Sequence, residues 1–208
     1  MREQGTGGRE QTVLGAGRSA HGAALIIGCG RRHRCDDQIG LLVAEHVVAS
    51  APPNTTTLSS EAPGPDLLAE LTGMELLIVI DAAQAAPSLP LGAWRRFSLD
   101  AVDPALLHSV GPLSPSPLSE RTPMLRRTRM SDATAHAAPH ALGVADALEL
   151  GETLGLLPPD VWVYAVAGVN FGYGDELSDG LKAVIDQVAD AIGRDLARWQ
   201  RARSVSHA

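Results

Sequence analysis

Apolar residues along the chain fall into two patterns, unbroken runs of strand length and spaced positions of helical period. Residues 23–27 form the first run, and Gly28 and Gly30 mark a tight turn at its end. From Ile39 onward, Ile39, Leu42, Val43, His46 and Val47 follow helical spacing. A turn-rich break at 50–54 precedes a short β-branched strand at 55–58. Pro65 suits a first helical turn, Leu67, Leu68 and Leu71 make its apolar face, and Gly73 ends it. Residues 75–81, ELLIVID, hold five apolar residues in a row closed by a carboxylate, the pattern of a strand buried on both faces.

In the second half, 94–99 reads as an edge strand, because Arg95 and Arg96 are ill suited to a sheet interior. Residues 101–139 are rich in Pro and Ser, carry Arg121, Arg126, Arg127 and Arg129, and show no sustained period. They read as a long loop insertion, either a solvated loop or a lid or docking segment for an acidic partner. Order returns at His140, where Leu142, Ala145, Leu148 and Leu154 keep near-helical spacing until Leu157-Pro158-Pro159. A strand at 161–166 and a glycine-rich loop at 167–176 follow. Leu181, Val184, Ile185, Val188, Ile192, Leu196 and Trp199 then trace a long amphipathic helix, with Ser178 as its N-cap. This alternation predicts an α/β fold of parallel βαβ units with helices on both faces of the sheet. The organisation expected is a disordered tail at 1–22, one domain at 23–200 and a polar tail at 201–208.

Composition narrows the class. At 208 residues the chain is long enough for one domain with a proper core, and with 45% hydrophobic but 3% aromatic residues that core must be aliphatic. A net charge of -7 argues against non-specific nucleic-acid binding. No apolar run approaches the roughly 20 residues of a membrane helix, and the N-terminus has no signal-peptide core. Cys29 and Cys35 are too few for a disulfide framework and match no zinc knuckle, so they read as reduced thiols of a cytoplasmic protein.

Candidate chemistry begins at Asp36 and Asp37, at a loop-to-helix junction beyond the first strand, where open α/β sheets bind ligands. Three readings compete. The pair caps a helix; or Gly28-Cys29-Gly30 is half a dinucleotide fingerprint, lacking its third glycine and crowded by Arg31-Arg32-His33-Arg34; or one carboxylate caps while the other ligates a metal. Asp81, at the end of its strand, is either a solvated exit or a further ligand. His140 opens a helix. Asp37, Asp81 and His140 each fall at junctions that an α/β sheet can bring to one edge, and two carboxylates with an imidazole suit nickel or zinc.

The sequence resembles the hydrogenase maturation proteases, the endopeptidases that process nickel-iron hydrogenases. GCGRRHRCDDQIG resembles the family's Gly-x-Gly-Asn followed by Asp-Asp/Glu-Gly-x-Gly, VIDA its strand ending in Asp, and HALGVADALELGETLGLLPPDVWVYAV its His-x-x-Gly helix and next strand. The resemblance implies a three-layer α/β/α sandwich of the phosphorylase/hydrolase-like type, with a metal site formed by Asp37, Asp81 and His140. It also implies removal of the C-terminal peptide from the nickel-loaded precursor of a hydrogenase large subunit. The Ni2+ arrives with the precursor, Zn2+ or Cd2+ serve as surrogates, and hydrolysis needs no Ser or Cys nucleophile.

Arg31 and Gln38 depart from that pattern, where the family has Asn and Gly, and the 101–139 insertion is longer than the family's. If the glycine position demands a positive φ, Gln38 costs about 1 kcal/mol. Two alternatives stay open: a non-catalytic relative that binds the nickel-loaded precursor, and, more weakly, a nucleotide-binding α/β protein using Gly28 and Gly30.

Overall fold

The most apolar runs take the middle of the sheet. The computed structural model describes residues 23–64, 66–99 and 144–206. Its strands are β1 (Ala24–Cys29), β2 (Thr55–Ser60), β3 (Leu76–Gln84), β4 (Trp94–Ser98) and β5 (Asp160–Gly168). Its helices are α1 (Ile39–Val48), entered through a 3-10 turn at Cys35–Gln38, then α2 (Asp66–Glu70), α3 (Val144–Thr153) and α4 (Leu181–Ser206). The sheet order is β2-β1-β3-β5-β4. The first four strands are parallel and β4 pairs antiparallel with β5 at the edge.

Strand alternation divides the core in two. Ala24, Ile26, Leu76, Ile78 and Ile80 face the packed surfaces of α1 and α4. Leu25, Ile27, Leu77, Val79 and Val163 face Leu67, Leu68 and Leu71 on one side of the chain's course and Val144, Ala147 and Leu148 on the other. The result is the three-layer α/β/α sandwich with a mostly parallel sheet.

Three expectations change in detail. β3 does not stop at Asp81. The small, buried Ala82 and Ala83 let it continue beside β5 as far as Gln84, paired with Gly168. The stretch 201–206 is helix and not a polar tail, because Arg203 bonds Glu75 and Asp160 and stacks 4.8 Å above Trp199. In α3, Val144, Ala147 and Leu148 are buried, while Leu154 lies beyond the helix and is exposed. The N-terminal tail 1–22, Pro65, the insertion 101–139, His140 and Leu142 lie outside the described residues. Among the described residues, no helix is long and apolar enough to cross a membrane.

α1 lies unusually close to the sheet. A Cβ at Gly40 would stand 2.2 Å from the Cys29 carbonyl oxygen and 2.4 Å from that of Ile80, and one at Gly28 would stand 2.3 Å from the Gly40 oxygen. Glycine at both positions lets the helix backbone rest on β1 and β3, which draws the preceding Asp36-Asp37 turn against the carboxyl end of the sheet. Gly40→Ala is therefore expected to cost about 3 kcal/mol, since the obstructing atoms are backbone and cannot turn aside. Urea unfolding checks this, and a loss below about 0.5 kcal/mol would contradict the close approach.

Candidate active site

The segment between β1 and α1 takes a costly path. His33 and Cys35 have φ of 60° and 47°, in the left-handed region that side chains disfavour. Backbone bonds to the loop after β5 hold them there. Gly174 N–H donates to the His33 carbonyl at 3.0 Å, Cys35 N–H to that of Gly174 at 2.8 Å, and Asp36 N–H to that of Asn170 at 2.9 Å. Arg34 adds a cation–π contact 4.3 Å above Tyr173.

Asp36 fastens the same two loops through its side chain. It is fully buried, and its carboxylate accepts the N–H of Val169 at 2.8 Å, of Asn170 at 2.9 Å and of Ser178 at 2.7 Å, with the Ser178 hydroxyl at 2.7 Å. Burial pushes the acid's pKa up, but these bonds outweigh it and leave Asp36 below the ordinary carboxylate range. Neither Asp caps α1, whose N-cap is Gln38 with no side-chain cap bond. The Ser178 hydroxyl, expected to cap the last helix, is instead committed to Asp36.

Asp37 and Asp81 are held differently. Asp37 is 7% exposed; burial raises its pKa, against the opposing charges of Arg31 and Arg34 and an Arg31 backbone bond. Arg31 Nε lies 3.7 Å from its Oδ2. Asp81 accepts the Ala82 N–H at 2.9 Å. Burial, with the Asp37 charge added, lifts Asp81 to about 7 despite that bond and despite Arg31. The two carboxylates thus repel one another at the carboxyl edge of the sheet, on β3 and on the turn after β1. An arrangement in which neutralisation is favoured suits a divalent cation with oxygen ligands.

Gln38 sits at φ -77°, so no positive φ is required there and the strain considered for it does not arise. Its side-chain amide donates to the Asp175 carbonyl at 3.0 Å. The Asp37 carbonyl oxygen crowds Gly30, 1.9 Å from where a Cβ would be, which puts an acceptor where a dinucleotide phosphate needs donors. Cys29 is buried, and burial followed by the Asp81 charge pushes its thiol well up, the reverse of an activated nucleophile. Among the described residues, no group of three or more His, Cys, Asp or Glu side chains is placed to hold a metal. His140 lies outside that set.

Comparison with known proteins agrees with the fold. The fold is that of the hydrogenase maturation endopeptidases. The chain superposes on the hydrogenase maturating endopeptidase HybD from E. coli with a TM-score of 0.62 and 20% identity, over 85% of this chain and 93% of that one. For the [NiFe] hydrogenase maturation protease HybD from Thermococcus kodakarensis the values are 0.55 and 19%, over 83% and 97%. For HycI of Thermococcus kodakarensis KOD1 they are 0.56 and 17%, over 85% and 93%. No family model matches the sequence, and neither does any curated protein sequence.

The two kinds of carboxylate make opposite predictions. Asp36→Asn replaces an acceptor of four hydrogen bonds with a group that donates toward its own partners. It is expected to cost about 3 kcal/mol or more in urea unfolding, against under about 1 kcal/mol for Asp37→Asn. Asp81 keeps its proton in the folded state up to about pH 7, while in the unfolded chain it ionises near 4. Stability therefore falls as pH rises between those values, and Asp81→Asn should melt well above wild type at pH 8 yet match it near pH 4. Equal melting temperatures at pH 8 would contradict the burial of an ionised Asp81.

Proposed function

We propose that the protein is a hydrogenase maturation protease, a cytoplasmic hydrolase that removes the C-terminal peptide from the nickel-loaded precursor of a nickel-iron hydrogenase large subunit. The observation that carries this reading is the pair Asp37 and Asp81, one buried and one half-buried carboxylate, both with raised pKa, on the carboxyl edge of a sheet that has the fold of those endopeptidases. Each lacks the set of hydrogen bonds that satisfies Asp36. Each becomes more comfortable as an anion when a cation arrives.

In this reading the nickel is part of the substrate. A substrate-borne Ni2+ supplies Lewis acidity to the peptide bond that is cut. Asp37 and Asp81 position the nickel-bearing end of the precursor by offering one carboxylate each, and His140 is proposed as the third group. α3 supports that assignment. It leads into the amino end of β5, so its first turn at Val144, four residues after His140, stands toward the sheet's carboxyl end, and Val144 packs on the face that carries Cys29. Buried Cys29 has no part in the chemistry. Zn2+ or Cd2+ can substitute as probes of the same carboxylates.

Arg31 gives the alternative reading some footing. Its guanidinium lies 3.7 Å from the Asp37 carboxylate where the resembling family has Asn, and it competes there with an incoming cation. A relative that holds the nickel-loaded precursor without cutting it would tolerate that competition.

Intact mass of a nickel-loaded large-subunit precursor, before and after incubation, separates the two. Loss of one discrete C-terminal peptide with wild type, at least about 100-fold slower with Asp37→Ala and absent without nickel, is the expected result. An unchanged mass in a stable complex with wild type would select the binding role.

A further inference from the structure

β2 is the outer strand of the sheet, and among the described residues no strand pairs with its free edge. The direction of its backbone groups follows from two bonds. The Asn54 carbonyl accepts from Ala24 N–H and the Ser60 carbonyl from Gly30 N–H, so even-numbered residues face β1. By alternation Thr55, Thr57 and Ser59 turn their N–H and C=O groups outward. Along this edge, between α1 and α2, runs a groove of about 830 Å³. Leu58 and the exposed Val48 give it apolar footing. Its charged lining is Glu45, Glu61, Asp66 and Glu70 against a single basic residue, Arg32, which pairs with both Glu45 and Glu61.

At its Ser60 end the groove approaches the site. Ser60 closes β2 beside Gly30, and Gly30 abuts the Asp37 backbone. We propose that the β2 edge is the docking surface for the precursor's C-terminal extension, bound as a sixth, antiparallel strand carrying Lys or Arg toward the acidic rim. The inference rests on the processing reading. In that reading the nickel-bearing body lies at Asp37 and Asp81, so the extension, C-terminal to the cut, leaves the site at Ser60 and runs toward Thr55, opposite to β2. Six residues of β2 span about 20 Å, room for about six residues of extension. Backbone pairing supplies affinity that does not depend on sequence, and the rim selects basic side chains.

The test uses the full-length protein, isotopically labelled, with a synthetic peptide of the sequence of the extension as probe. Chemical-shift changes and slowed exchange at the amides of Thr55, Thr57 and Ser59 are expected. Thr57→Pro, which removes one outward donor but no bond to β1, and Glu70→Lys, which alters only the rim, should each weaken peptide binding about tenfold. Both should raise KM for the precursor with kcat little changed, and replacing the peptide's Lys and Arg by Gln should weaken binding similarly. Processing of the precursor without any change at the β2 amides, or with affinity indifferent to Glu70→Lys, would overturn the docking surface and leave the protease reading standing. A peptide that docks on β2 while wild type never cuts the nickel-loaded precursor would overturn the protease reading and leave the surface. A peptide that binds nowhere on the protein overturns the inference.

Discussion

The hydrogen bonds of Asp36 hold the functional end of this molecule together. One fully buried carboxylate accepts three backbone N–H groups and a hydroxyl from the segment after β5. That segment in turn holds the strained turn before α1. Charge-assisted bonds of this kind are the strong ones, and the site spends them on two loops that neither sheet nor helix would otherwise fix. The floor beneath is equally rigid, because Gly28 and Gly40 let α1 rest directly on β1 and β3.

Asp36 is taken up by these bonds, and its neighbour Asp37 is not. Adjacent residues on a tight turn point different ways, so Asp36 reaches into the β5 loop while Asp37 remains near Asp81 and Arg31. The contrast in environment is the informative part. A carboxylate surrounded by donors is held ionised, whereas two carboxylates poor in donors and close enough to repel resist ionisation. Raised acids with few donors are costly for stability, a cost that a bound cation relieves.

Much of this was legible in the sequence, and the gaps have physical reasons. The apolar runs at 23–27 and 75–81 specified buried parallel strands, and Arg95 and Arg96 marked β4 as an edge, where Arg96 indeed pairs with Asp195 at 3.1 Å and stacks on Trp162. Asp37 and Asp81 come to one edge of the sheet because residues that follow apolar strands fall there in this topology. What periodicity could not reveal was the role of Asp36, since its partners Val169, Asn170 and Ser178 lie more than 130 residues away and bond mostly through backbone. A cap within its own helix was the local alternative, and tertiary contacts prevailed. The strand end after Asp81 was missed because alanines carry no polarity signal. The helical course of 201–206 was hidden by polar residues whose partners, Glu75 and Asp160, are again distant.

The division of labour between the carboxylates can be read directly from their protons. A carbon-detected NMR titration of the aspartate carboxyls, in wild type and Asp81→Asn, follows each group separately. One carboxyl titrating near pH 7 and absent from Asp81→Asn, together with an Asp36 that stays ionised below the ordinary range, is the predicted result. An Asp81 that titrates with the surface aspartates, or an Asp36 raised in its place, would contradict it.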